Sequence, residues 1–153
     1  MASNDYSDQI TAAEQRFGLP AGMLAALIQT ESSGNPNATS PVGAQGLTQL
    51  MPPTAAGVGV TNAYDPNQAI QGGAKVLSDD LKASGGDVIK ALKMYHGGTN
   101  TQQWGPKTQA YPGKVLANMP TAPSQSVDDI DAMFGTPAAA SSAPAVSANA
   151  AQP

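Results

Sequence analysis

Apolar residues recur at every third or fourth position through most of residues 1–119, whereas the alternation typical of β-strands never lasts more than a few residues. Within 7–17, the side chains of Ile10, Ala13 and Phe17 share one helical face. The same spacing predicts further helices over 21–31, 64–84, 85–98 and 108–119, with short helical turns over 47–56. The pattern therefore predicts a mostly α-helical domain.

Residues with unusual backbone properties mark the ends of these helices. Pro20 is expected in the first turn of the second helix, and Asp65 is a suitable N-cap before Pro66. Glycines flank the helix over 85–98 and are expected to cap it at both ends. The intervening stretch 32–46 is rich in Gly, Pro, Ser and Asn, which predicts a loop.

The composition changes after residue 119. Ala, Pro and Ser dominate 120–153, as in flexible linkers, so the sequence predicts a folded domain over 1–119 and a tail over 120–153. One island in the tail, 126–134, combines aspartates with a small apolar stripe. Two interpretations of this island stay open: a transient helix, or a short helix that docks onto a protein partner.

Charge and composition narrow the candidate ligands. Only 12% of the residues are charged and the net charge is -4, so there is no basic surface for nucleic acid. A neutral, hydroxyl-rich ligand such as a glycan suits this composition better. There is no cysteine and one histidine, His96, which argues against a metal site, and we expect no cofactor.

Glu31 is a carboxylate at an apolar position. It follows Leu24, Leu27 and Ile28 by seven, four and three residues, so it lies on their helical face. Burial disfavours the charged form of a carboxyl group and raises its pKa, which is what a general acid needs near neutral pH. A glutamate that turns outward into solvent at the end of the helix is the alternative.

The residues that follow Glu31 make the catalytic interpretation specific. The segment 31–55 resembles the signature of the soluble lytic transglycosylase family, E-S-x-x-x-P-x-A-x-S-x-x-G-A-x-G-L-M-Q-x-M-P. The identical positions are Glu31, Ser32, Pro36, Ala38, Ser40, Gly43, Ala44, Gly46, Leu47, Gln49, Met51 and Pro52. Two later segments, 91–98 and 108–116, resemble the family's A-L-x-A-Y-N-A-G and T-x-x-Y-x-x-K-V, with Tyr95 and Tyr111 at the tyrosines. The resemblance covers 19–116.

The resemblance implies a lysozyme-like fold with Glu31 in a glycan cleft. It implies cleavage of the β-1,4 bond between N-acetylmuramic acid and N-acetylglucosamine in peptidoglycan, with Glu31 as acid and then base and a 1,6-anhydromuramoyl product. A single carboxylate suffices for this scheme, and 32–62 contains no other Asp or Glu. The remaining aspartates are expected to be helix caps or exposed helix residues.

The resemblance also implies which residues bind the substrate. Ser40 and Gln49 would hydrogen-bond the glycan near the reacting sugar. Tyr95 would hold the acid in its orientation, and Tyr111 would support the cleft wall. The chain departs from the family pattern at Thr48, where methionine is usual, and at His96, where asparagine is usual. His96 is still expected to hydrogen-bond near the substrate and to titrate near pH ~6 to 7.

Two other functions remain open on the sequence. One is a goose-type lysozyme-like hydrolase, in which water replaces the C6 hydroxyl of the sugar. The other is an inactive module that binds peptidoglycan during assembly. No segment approaches the ~18 apolar residues of a membrane span, and the first residues lack the features of a Sec signal peptide. Delivery to the periplasmic cell wall is therefore expected by a phage particle or a specialised secretion system.

Overall fold

A computed structural model describes residues 6–119 of the chain. In this range the chain forms helices and no β-strand, although two isolated antiparallel bridges join Gln45 to Thr39 and to Leu50. The helices are α1 (Ser7–Phe17), α2 (Met23–Ser32), α3 (Pro52–Gly57), α4 (Pro66–Ala83), α5 (Val88–Gly97), a 3-10 turn η1 (Thr101–Gln103) and α6 (Pro106–Ala117). The mostly α-helical prediction is confirmed. The predicted tail over 120–153 and its island at 126–134 lie outside the described residues.

The start of α2 differs from the sequence prediction. Pro20 lies before the helix, which begins at Met23 after Gly22 adopts a φ of 85°. The carboxylate of Glu14 on α1 explains this start, because it accepts hydrogen bonds from the backbone N–H groups of Gly22 at 3.0 Å and Leu24 at 2.9 Å. Glu14 is 5% exposed, so a buried negative charge satisfies the N-terminal donors of α2.

The caps of α4 and α5 confirm one prediction and correct another. The Asp65 side chain accepts hydrogen bonds from two backbone N–H groups of α4, as expected of an N-cap. Helix α5 is capped at its start by Asp87, whose Oδ1 accepts from the Lys90 N–H at 3.0 Å, rather than by glycine. A glycine has no side chain to accept that bond. Gly98, with a φ of 80°, follows the last residue of α5 as predicted.

The core surrounds α2. Helix α2 packs against α1 and α6, while α4 packs against α1 and α5, and α5 packs against α6. The predicted apolar faces pack on the core, although Ile10, Phe17 and Leu81 are only partly buried. The largest apolar side chains with almost no exposure are Met23, Leu24, Leu27, Leu47, Ile70, Leu77, Leu92 and Val115. Leu47 brings the loop after α2 into the same core. No helix within 6–119 combines the length and apolar character needed to cross a bilayer.

Candidate active site

Glu31 lies in the last turn of α2, next to buried Leu27 and Ile28. Burial raises the pKa of its carboxyl group from 4.5 to about 7, and a hydrogen bond from Tyr111 lowers the pKa by a smaller amount. Desolvation is the larger effect because the carboxylate loses water on its protein side and gains only one donor in return. Glu31 is therefore protonated in a substantial fraction of the molecules near neutral pH.

The tyrosine that contacts Glu31 is Tyr111. Tyr111 projects from α6, is 3% exposed, and its hydroxyl donates a 3.0 Å hydrogen bond to Oε1 of Glu31. The sequence predicts the orienting role for Tyr95, but the Tyr95 hydroxyl instead donates to the backbone oxygen of Thr48 at 2.8 Å. Burial and the negative charge of Glu31 both raise the pKa of Tyr95, so this phenol also stays protonated near the acid.

Thr48 holds the loop against α4. The residue is fully buried, its hydroxyl donates to the Ala69 carbonyl at 2.9 Å, and its own carbonyl accepts from Tyr95. A Cβ at Gly73 would collide with the Thr48 side chain, so the loop and α4 are in close contact here. The sequence singled out Thr48 as a departure from the family pattern, and only the structure shows that it anchors Tyr95.

Ser40 and Gln49 lie in the loop between α2 and α3. Ser32 ties this loop to α2, because its hydroxyl lies 2.8 Å from the Leu47 carbonyl oxygen. The Ser40 hydroxyl oxygen accepts from the Ala44 N–H at 3.0 Å. Gln49, whose φ is 51°, donates from Nε2 to two loop carbonyls, at 2.9 and 3.1 Å. Both side chains therefore shape the loop, and their binding roles stay predictions.

His96 is the exposed end of a chain of contacts that leads to Glu31. Its Nδ1 lies 3.0 Å from Oγ1 of Thr108, and its ring lies 4.6 Å from the ring of Tyr111, centroid to centroid. Burial of the ring, Lys114 and Lys107 all lower the pKa of His96 from 6.5. The expected titration near pH ~6 to 7 is therefore displaced to lower pH, because the partly covered imidazolium loses hydration and faces two lysines.

Asp80 departs from the expectation for the remaining aspartates. Its side chain is partly buried, and Oδ2 has neither solvent contact nor a hydrogen-bond partner. Burial, with a smaller contribution from Asp79, raises the pKa of Asp80 to about 6. Asp80 is thus neither a helix cap nor a fully exposed residue. Its charge reaches the site, since it also raises the pKa of Tyr95.

The structure therefore joins Glu31, Tyr111 and His96 through direct contacts. Tyr95 is bonded to Thr48 and lies near enough for the charge of Glu31 to raise its pKa. Within 6–119, no three His, Asp or Glu residues are grouped in a way that could hold a metal ion. The sequence missed Thr108, the partner of His96, although this threonine belongs to the segment that carries Tyr111. It also missed Glu14, which lies on the same apolar face of α1 as Ile10 and Phe17.

The helical fold and the partly buried glutamate define a lysozyme-like domain. Residues 8–116 match the transglycosylase SLT domain, and the chain belongs to this family. The resemblance read from Glu31, Tyr95 and Tyr111 in the sequence is thereby confirmed at the level of the family.

Individual proteins similar to this chain are also named as transglycosylases. The chain is 55% identical over 112 residues to the transglycosylase of Enterobacteria phage PRD1, an alignment that covers 73% of this chain and 42% of the phage protein. It is 40% identical over 87 residues to the membrane-bound lytic murein transglycosylase F of Shewanella pealeana, covering 57% of this chain and 18% of that protein. The chain thus spans less than half the length of these relatives.

Solved structures match the same domain. The 70 kDa soluble lytic transglycosylase from Escherichia coli superposes with a TM-score of 0.69 at 25% sequence identity, over 74% of this chain and 23% of that one. A complex of the 70 kDa soluble lytic transglycosylase with bulgecin A gives a TM-score of 0.69 at 25% identity, over 76% of this chain and 24% of that one. The lysozyme-like fold predicted from the sequence is confirmed.

Proposed function

We propose that the protein is a peptidoglycan lytic transglycosylase that cleaves the β-1,4 bond between N-acetylmuramic acid and N-acetylglucosamine. The observation that carries this proposal is the carboxyl group of Glu31, which has a pKa of about 7 and accepts a hydrogen bond from Tyr111. Such a group is protonated often enough to act as an acid and ionises readily enough to act as a base at the same pH.

The reaction that fits uses Glu31 twice. Its proton passes to the glycosidic oxygen as the bond from that oxygen to C1 of the muramoyl sugar breaks. The N-acetyl oxygen of the substrate stabilises the positive charge that develops at C1. The Glu31 carboxylate then takes the proton of the C6 hydroxyl, whose oxygen bonds to C1. The product is a 1,6-anhydro sugar, no water is consumed, and Glu31 ends protonated as it began.

The Tyr111 hydrogen bond suits both halves of this cycle. It stabilises the carboxylate that forms after the first proton transfer, and it fixes the direction of Oε1. Because the bond occupies one oxygen, Oε2 of Glu31 is the atom that would exchange the proton with the substrate. Tyr95, fixed through the Thr48 carbonyl, would line the cleft beside it.

Substrate contacts follow from the atoms that the loop leaves free. Ser40 accepts from Ala44, so its hydroxyl hydrogen remains for a sugar oxygen or an acetamido carbonyl. Gln49 uses Nε2 within the loop, so Oε1 would accept from a sugar hydroxyl or an N-acetyl N–H. His96 engages Thr108 through Nδ1, which leaves Nε2 for the glycan.

The surroundings of the enzyme are part of the proposal. We infer that it acts on glycan strands of the periplasmic cell wall, as the name of the lytic murein transglycosylase relative suggests. The relative in phage PRD1 supports delivery by a phage particle. A protein partner for 120–153 remains a proposal based on the sequence of 126–134 alone.

Mass spectrometry of digested peptidoglycan tests the reaction. Purified sacculi are incubated separately with the wild-type protein and with the Glu31→Gln variant. The soluble products are then separated and their molecular masses are measured. The proposal expects anhydromuramoyl products with the wild type and none with Glu31→Gln. Products heavier by one water, with reducing ends, would establish a lysozyme-like hydrolase instead. Binding of sacculi without any soluble product would indicate a binding module.

A further inference from the structure

Tyr111 contacts His96 through its ring as well as Glu31 through its hydroxyl. The ring of His96 lies against the ring of Tyr111 at 4.6 Å between centroids, with an angle of 32° between the planes. His96 is itself fixed by the 3.0 Å contact between Nδ1 and Oγ1 of Thr108. The contacts therefore run from Thr108 through His96 and Tyr111 to Glu31, across α6, α5 and α2.

The Thr108 end of this series is packed tightly. A Cβ added at Gly97 would come within 2.7 Å of Cγ2 of Thr108 and 2.9 Å of Cδ1 of Trp104. Those distances leave no room for a side chain at Gly97, so the end of α5 and the start of α6 approach closely. Thr108 is 6% exposed, whereas His96 is exposed, so the buried threonine is the fixed point of the pair.

We propose that His96 and Thr108 are positioning residues that hold the Tyr111 hydroxyl against Glu31 and thereby aim the catalytic carboxyl group into the cleft. This inference rests on the proposed function for its kinetic consequences. The Tyr111 hydroxyl lies at the far end of its ring, so a small tilt of the ring displaces the hydroxyl most. A misplacement of about 1 Å in such a group can reduce turnover about 100-fold.

Several charged groups surround His96 and determine the pH at which its variants are best compared. Lys107 and Lys114 of α6 lower its pKa, as does burial of the ring. Lys93 of α5 lies over the ring of Trp104, and Glu31 of α2 lies beyond Tyr111. On α4, the negative charge of Asp80 contributes to the raised pKa of Tyr95. Burial and the two lysines lower the pKa of His96, so measurements at alkaline pH separate the loss of packing and of the Thr108 hydrogen bond from any loss of charge.

The test combines kinetics with direct titration of Glu31. The variants are His96→Ala, which removes the ring, and Thr108→Val, which keeps the shape but removes the hydroxyl. Thr108→Ser restores the hydroxyl, and Thr101→Val removes a hydroxyl from the exposed η1 turn as a matched control. For each, kcat, KM and the pH profile of kcat/KM are measured on peptidoglycan. The pKa of Glu31 is followed by the 13C shift of its carboxyl group, assigned with Glu31→Gln.

A positioning role has a definite signature. Thr108→Val should reduce kcat about 3- to 8-fold with little change in KM, and His96→Ala should reduce kcat to a similar extent with some rise in KM from the lost glycan contact. Both variants should raise the pKa of Glu31, because the Tyr111 hydrogen bond that lowers it is weakened. Thr108→Ser should recover most of kcat and the original pKa. Thr101→Val should match the wild type in both.

Two results would overturn the inference. One is an unchanged pKa of Glu31 in both His96→Ala and Thr108→Val, whatever happens to kcat. The other is a rise in KM alone, which would make His96 a substrate contact only. If the wild type does not cleave peptidoglycan, the proposed function fails, while the NMR titration still tests whether His96 and Thr108 hold Tyr111 against Glu31.

Discussion

The Tyr111 hydroxyl donates a 3.0 Å hydrogen bond to Oε1 of Glu31, joining residues that lie 80 positions apart in the chain. The bond stabilises the carboxylate, while burial of the same group favours its neutral form. Burial has the larger effect, and the pKa of Glu31 settles at about 7. The balance gives one carboxyl group the properties of both an acid and a base near neutrality, and it makes the following variants informative.

Replacing Glu31 with Gln should separate activity from stability. Turnover should fall about 1,000-fold, since an amide cannot supply the proton. The pKa of Glu31 is about 7 in the folded protein and 4.5 in a free side chain, so ionisation of Glu31 opposes folding increasingly from pH 4.5 to 7 and fully above that. Glu31→Gln should therefore raise the free energy of unfolding by about 1 to 2 kcal/mol at pH 8.

Urea denaturation at pH 8 and pH 4 measures this effect. At pH 4 the two proteins should be nearly equal in stability, because Glu31 is protonated in both states. Asp8→Asn, a change at an exposed residue of α1, is the control for loss of one negative charge. A Glu31→Gln protein that is less stable than the wild type at pH 8 would contradict the assigned cost of burying the carboxylate.

Tyr111→Phe should move the pH profile of the enzyme. Without the hydroxyl, Glu31 loses the bond that lowers its pKa, so the pKa should rise above 7. The fall of kcat/KM on the alkaline side should then shift upward by about 0.5 to 1 pH unit, and kcat should drop about 10-fold. Tyr6→Phe, at the residue that precedes α1, should change neither quantity. An alkaline limb that stays in place would show that the Tyr111 bond does not tune the acid.

Thr48 should not tolerate the methionine that is usual in the family. Thr48 is fully buried against α4, and a Cβ at Gly73 would already collide with its side chain. Thr48→Met should lower the free energy of unfolding by about 1 to 3 kcal/mol through overpacking. Thr48→Val should cost about 1 to 2 kcal/mol, because it removes the hydrogen bond to Ala69 with little change of shape.

Thermal and urea unfolding compare these variants with Thr48→Ser, which keeps the hydroxyl. The serine variant should be more stable than Thr48→Met. If Thr48→Met is as stable as the wild type, the contact between the loop and α4 has room that the structure does not indicate.

Glu14→Gln should weaken the start of α2. The carboxylate accepts from Gly22, Leu24 and Ala25 N–H groups, at 3.0, 2.9 and 3.3 Å, and an amide replaces one acceptor with a donor that faces those hydrogens. We expect a loss of about 2 to 3 kcal/mol in the free energy of unfolding, measured in urea at neutral pH. Amide hydrogen exchange at Leu24 should accelerate. An unchanged exchange rate at Leu24 would show that Glu14 does not stabilise the start of α2.

Asp80→Asn should stabilise the protein at neutral pH. The pKa of Asp80 is about 6 in the folded state and 3.8 in a free side chain, so ionisation opposes folding from pH 3.8 upward and fully above pH 6. With allowance for its partial exposure, the gain at pH 7.5 should be about 1 kcal/mol, and it should vanish near pH 3.5. Asp79→Asn is the matched control: Asp79 is exposed and paired with Lys75 at 2.7 Å, so its replacement should not stabilise the fold.

The sequence located most of the helices and the acid because those features depend on neighbours within one helix. The spacing of Ile10, Ala13 and Phe17 gave the bounds of α1 as the structure has them. The placement of Glu31 after Leu27 and Ile28 predicted a carboxyl group with a raised pKa. Glu14 likewise lies on an apolar helical face, four residues after Ile10 and three before Phe17, and this spacing marks it as a buried residue.

Only the tertiary structure decided which side chains meet. The sequence alone does not distinguish which of Tyr95 and Tyr111 contacts the acid. In the structure, Tyr111 donates a hydrogen bond to Glu31, and Tyr95 donates one to the Thr48 carbonyl. The partial burial of Asp80 likewise depends on how α4 packs against its neighbours. Local spacing determines helices, their faces and their caps through interactions a few residues apart. Hydrogen bonds and pKa values at the site depend on contacts between distant helices, which packing of the whole core sets.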